Sequence, residues 1–119
     1  MELYDVEIEP EVREWLNSLA DRDFGRVEWL VALLAANAES LGEPWSRHLG
    51  DGLRELRIHL HPLEVRITYW LASNRRIVLL TVFHKTRERE TTEVDRAMRA
   101  RKLCEAEHGH AQGDYTREV

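Results

Sequence analysis

The chain has 119 residues, 43% of them hydrophobic, with one cysteine and a net charge of -5. This bounds it to one domain with a real core, gives it an ordinary globular composition, and excludes an internal disulfide. With no apolar run near the roughly 20 residues that span a bilayer and an acidic rather than signal-like start, the expectation is a cytoplasmic protein with no membrane partner.

Residues 3–8 alternate, Tyr4, Val6 and Ile8 against Leu3, Asp5 and Glu7, which predicts a half-buried strand. Pro10 suits the first turn of a helix, where its missing N–H is not needed. Val12, Trp15, Leu16 and Leu19 then lie on one helical face, with acidic residues near the start to suit the macrodipole. A second helix is predicted over 23–41, carried by Val27, Leu30, Val31, Leu34, Ala38 and Leu41. Trp29 and Leu33 widen its stripe, and Gly42 and Pro44 stop it.

Three runs rich in Leu, Ile, Val, Thr and aromatics follow at 53–60, 65–71 and 77–83, and read as strands. Pro62 marks the first connection as a loop, and the short polar link 72–76 makes the second and third strands antiparallel neighbours. Alternation puts Leu56, Ile58 and Leu60 on one face and Glu55, Arg57 and His59 on the other. In the second strand it sets Val65, Ile67, Tyr69 and Leu71 against Arg66, Thr68 and Trp70. The third is apolar on both faces, as a covered central strand is, and ends at His84-Lys85. A charged stretch then leads to a helix over 92–106 that buries Val94, Ala97, Met98 and Leu103. Residues 1–106 are thus one domain, and 107–119 a flexible tail.

Charge is unevenly spread: residues 1–46 contribute -8, residues 47–102 contribute +6 and residues 103–119 contribute -3. A basic middle on an acidic body suits an anionic partner, because local potential rather than net charge attracts a polyanion. Arg57, Arg66, His84, Lys85 and Arg87 lie at or near one side of the expected sheet. Guanidinium groups hold phosphate bidentately and stabilise a pentacoordinate transition state, and an imidazole exchanges protons near neutral pH. Together they fit metal-independent RNA cleavage, in which the ribose 2′-hydroxyl attacks the adjacent phosphorus. Each arginine also has an ordinary alternative, an ion pair with Glu55 or with an acidic helix residue. His59 with His61, and Cys104 with His108 and His110, match no zinc spacing. No cofactor motif is present, and none is expected.

The element order, with GLRELR at 52–57, VRITYW at 65–70 and IVLLTVFHKTRERE at 77–90, resembles the HigB-like branch of the RelE/ParE toxin superfamily over residues 3–103. The resemblance implies an α+β fold of order β-α-α-β-β-β-α, with a small antiparallel-rich sheet, two N-terminal helices on one face and a C-terminal helix. It implies the toxin of a type II toxin–antitoxin pair, a ribosome-dependent mRNA endonuclease. Its partners would be a helix-turn-helix antitoxin, the ribosome and mRNA, with operator DNA met only through the antitoxin. By position, Arg57, Arg66, His84 and Lys85 would be catalytic, and Arg54, Arg87 and Arg89 would bind RNA. The alternatives are a non-catalytic ParE-like inhibitor of DNA gyrase and an inactive antitoxin-binding module.

Overall fold

The computed structural model describes residues 3–85, 91–107 and 113–114. Strand β1 (Asp5–Ile8) leads into helices α1 (Pro10–Ser18) and α2 (Asp21–Ala36). Strands β2 (Ser46–Gly50), β3 (Leu53–Leu60), β4 (Leu63–Ala72) and β5 (Arg76–His84) follow, then helix α3 (Thr91–Glu107) and the two-residue β6 (Gly113–Asp114). The sheet order is β2-β3-β4-β5-β1-β6. Neighbours from β2 to β5 are antiparallel, while β1 runs parallel to β5. The expected α+β architecture is therefore present, with β2 as an additional edge strand. Of the residues expected to form a tail, Gly113 and Asp114 pair with Ile8 and Glu7.

Alternation builds two cores, one on each face of the sheet. Leu56, Ile58, Val65, Ile67, Tyr69, Ile77 and Leu79 pack against Val12, Leu16, Val27, Leu30, Val31 and Leu34 of α1 and α2. On the reverse face Leu53, Trp70, Val78 and Leu80 meet Ala97 and Cys104 of α3. Cys104 fills the place expected for Leu103, which is 57% exposed. It lies seven residues after Ala97 and so shares its stripe. Burial first, and then the Glu9 carboxylate, push the Cys104 thiol up to about 12, so it stays protonated at ordinary pH.

Helix α2 stops at Ala36 rather than 41, because Asn37 ends it. The Asn37 side chain donates to the Leu33 carbonyl at 2.9 Å, and its backbone N–H bonds Leu34 O, which satisfies two terminal carbonyls. Trp29 does not widen the apolar stripe: it is 56% exposed. The helices are tied to the sheet by Glu11. One of its oxygens accepts the Val82 N–H of β5 at 2.8 Å while the other meets Arg96 of α3, which also bonds Glu93. Among the described residues no helix is long and apolar enough to cross a membrane.

Candidate active site

The connection between β3 and β4 is His61 and Pro62 alone, so Leu60 faces Leu63 and the register brings His59 opposite Glu64 and Arg57 opposite Arg66. The Arg57 N–H points away from β4, to Trp45 O at 2.9 Å. The Arg57–Arg66 pair is therefore of the non-hydrogen-bonded kind, in which facing side chains come closest. Like charges directly opposite repel, and three carboxylates answer them. Glu43 lies 3.6 Å from Arg57, Glu55 3.7 Å from Arg66 and Glu64 3.6 Å from Arg66.

The two arginines are not equivalent. Arg66 is 3% exposed and Glu55 is 2% exposed, so they form a buried ion pair. Arg57 is only half-buried, and its carboxylate partner Glu43 is exposed. The Arg57 Nε is buried without a hydrogen-bond acceptor among the described residues, while the Arg66 Nε faces the Glu55 carboxylate at 3.7 Å, beyond hydrogen-bond reach. A buried donor left so is costly.

His59 extends the cluster. Its Nδ1 meets Glu64 Oε1 at 2.5 Å, and this hydrogen bond, more than any other influence, holds the Glu64 carboxyl below its ordinary value, with Arg66 adding to the effect. A carboxylate that accepts from Nδ1–H fixes the ring's orientation and leaves Nε2 free to take a proton. This exposed imidazole shares a face with Arg57, and sequence reasoning considered it only as a metal ligand. The signal was available: a two-residue link at 61–62 sets 59 against 64.

The remaining expected site residues scatter. A bulge in β5 leaves Leu80 without a partner between the Tyr69–Leu79 and Thr68–Thr81 pairs. One extra residue inverts the alternation beyond it. Phe83 consequently faces Arg66, and His84 faces Val65, on the side covered by α1 and α2 and away from Arg57 and Arg66. Arg54 is also on that side, where it donates to Ala38 O at 3.0 Å. Tyr69 is fully buried there, 2.5 Å from Ser46 Oγ, and burial raises its pKa. Lys85 is exposed just past β5, with its N–H on Glu64 O at 2.7 Å. Arg87 and Arg89 lie outside the described residues.

A pocket of about 570 Å³ opens beside the outer edge of β3, where β2 no longer covers it. Arg57, His59, Glu64 and Arg66 line it together with Trp29 and Trp45. Arg26 of α2 also lines it and bonds His59 O at 3.1 Å.

In class this is a RelE-fold protein. The free state of a double-arginine mutant of the E. coli toxin RelE superposes with a TM-score of 0.57 at 13% identity, over 85% of this chain and 97% of that one. At that identity the likeness is one of fold. Residues 14–104 match the family described as phage-derived protein Gp49-like, and the chain belongs to that family. No curated protein matches it in sequence.

Proposed function

We propose that this protein is the toxin of a type II toxin–antitoxin pair, of the HigB-like kind, and that it cleaves translated mRNA. The observation that carries the reading is the oriented His59–Glu64 pair beside the close Arg57–Arg66 pair. His59 Nε2 accepts the proton of a ribose 2′-hydroxyl. The O2′–P bond then forms as the P–O5′ bond breaks, and the departing 5′-oxygen takes a proton from water. Arg57 and Lys85 stabilise the charge that gathers on the phosphorane, so the step needs no metal. Arg66 acts through Arg57 and Glu64, by positioning them. Arg54 and His84 are given no part in this reading, because they lie on the other face.

The partners follow from the same reading: the ribosome, which presents the mRNA, and a helix-turn-helix antitoxin, through which alone the pair meets operator DNA. The test is to induce the wild type, Arg57→Ala and His59→Ala in cells and to map mRNA 5′ ends during growth arrest. New ends inside translated frames, reduced about 10²-fold or more in either variant, are expected for the loss of one transition-state group. Arrest of the wild type without new ends would overturn the nuclease and favour a gyrase inhibitor.

A further inference from the structure

Trp29 and Trp45 are large apolar side chains left in solvent, 56% and 39% exposed. Their rings meet edge to face with centroids 5.4 Å apart. Each comes from a different element: Trp29 from the polar side of α2, and Trp45 from the residue before β2, where its carbonyl holds the Arg57 N–H. The same pocket thus holds two indoles and the cations Arg26 and Arg57. A stacking surface next to positive charge is how single-stranded nucleic acid is held without base-specific hydrogen bonds. A wholly apolar partner would make no use of the arginines' charge, and a bare anion would make no use of the indoles.

We propose that Trp29 and Trp45 form a base-stacking subsite for single-stranded RNA, with purines favoured over pyrimidines for their larger ring. The base rests on the indoles and its phosphate reaches Arg57 or Arg26. This deepens the nuclease reading, since the stacked base fixes which phosphate arrives at Arg57 and His59. The binding itself does not depend on cleavage.

The test uses the whole protein and a 2′-O-methylated purine pentanucleotide, which has no free 2′-hydroxyl and cannot be cut. NMR of the four indole N–H groups is the readout, with half-buried Trp15 and buried Trp70 as internal references. Titration is expected to shift Trp29 and Trp45 and to leave Trp15 and Trp70 in place. Trp29→Ala should weaken binding about tenfold, within the range for losing one base–aromatic stack. An abasic central position should cost the wild type a similar factor and cost the variant little more.

Unmoved Trp29 and Trp45 signals, with or without binding elsewhere, would overturn the subsite, as would equal affinity of Trp29→Ala. Shifts produced by hexaglutamate and not by the oligonucleotide would overturn it too, and mark the pocket as a protein groove. Cleavage that depends on Arg57 while the indoles stay unmoved would sink the subsite alone. Stacking without cleavage would sink the nuclease alone.

Discussion

The guanidinium of Arg66 lies within 4 Å of Glu55 and Glu64, and both Arg66 and Glu55 are buried. Removing one member of such a pair leaves the other charge without compensation. Arg66→Ala should therefore cost about 3–5 kcal/mol of folding stability. Arg57→Ala, which breaks only a pair with exposed Glu43, should cost less than about 1 kcal/mol. Urea midpoints of the two variants test this. Joint replacement Arg66→Met with Glu55→Leu should recover most of the Arg66 loss, because it removes both desolvated charges. Equal midpoints for the two single variants would show that the Glu55 pair is not held as described. The sequence pointed to both arginines through strand alternation, but it could not say which was buried. That depends on what covers the sheet end, and no local pattern records it. His84 was expected on the arginines' side of the sheet for a similar reason, since the Leu80 bulge that turns it to the other face leaves no mark in the run IVLLTVF.

Elements were legible where a period was strong. The helical stripes, the three long strands and the final helix follow from apolar spacing. Strand β2, SRHLG, carries one apolar residue and has no alternation to detect. Its signal lay instead in the turn: Gly50, Asp51 and Gly52 all have positive φ, at 107°, 51° and 78°. Glycine adopts that region without a steric penalty, so the Gly-Asp-Gly run marked a hairpin before β3. A Cβ at Gly52 would also lie 3.2 Å from Arg101 Nη1, and that guanidinium stacks 5.0 Å over the Trp70 ring. Gly52→Ala should thus destabilise by about 1–2 kcal/mol, the usual cost of left-handed backbone for a residue with a Cβ. Gly25 lies inside α2 with open space where a Cβ would go. Gly25→Ala should stabilise by about 0.5–1 kcal/mol through helix propensity. Thermal unfolding of both variants would show shifts of opposite sign, and a shared sign would contradict the turn geometry.

For the molecule as a whole, the division of charge read from the sequence maps onto the layers of the fold. The acidic first 46 residues include both helices over one face, while the pocket at the edge of β3 gathers Arg26, Arg57 and Arg66. Two carboxylates already neutralise Arg66 in part. On the proposed reading Arg26, Arg57 and Lys85 meet RNA phosphates, on a body whose net charge is -5. Each phosphate neutralised on a single strand releases counterions, with a slope of about -0.7 in log K against log salt. Three contacts give a slope of about -2, whereas a broad basic surface with six to ten gives about -4 to -7. Anisotropy of the labelled, uncuttable pentanucleotide between 50 and 200 mM KCl would measure it. A slope near -2, reduced by about 0.7 in Arg57→Ala, is the expected outcome. A slope steeper than about -4 would mean that RNA is held by a basic surface elsewhere. On that expectation, three phosphate contacts would lend little non-specific affinity for free RNA. On the proposed reading, its encounter with mRNA then rests on a partner that presents the strand, and the aromatic pocket supplies the contact that salt does not weaken.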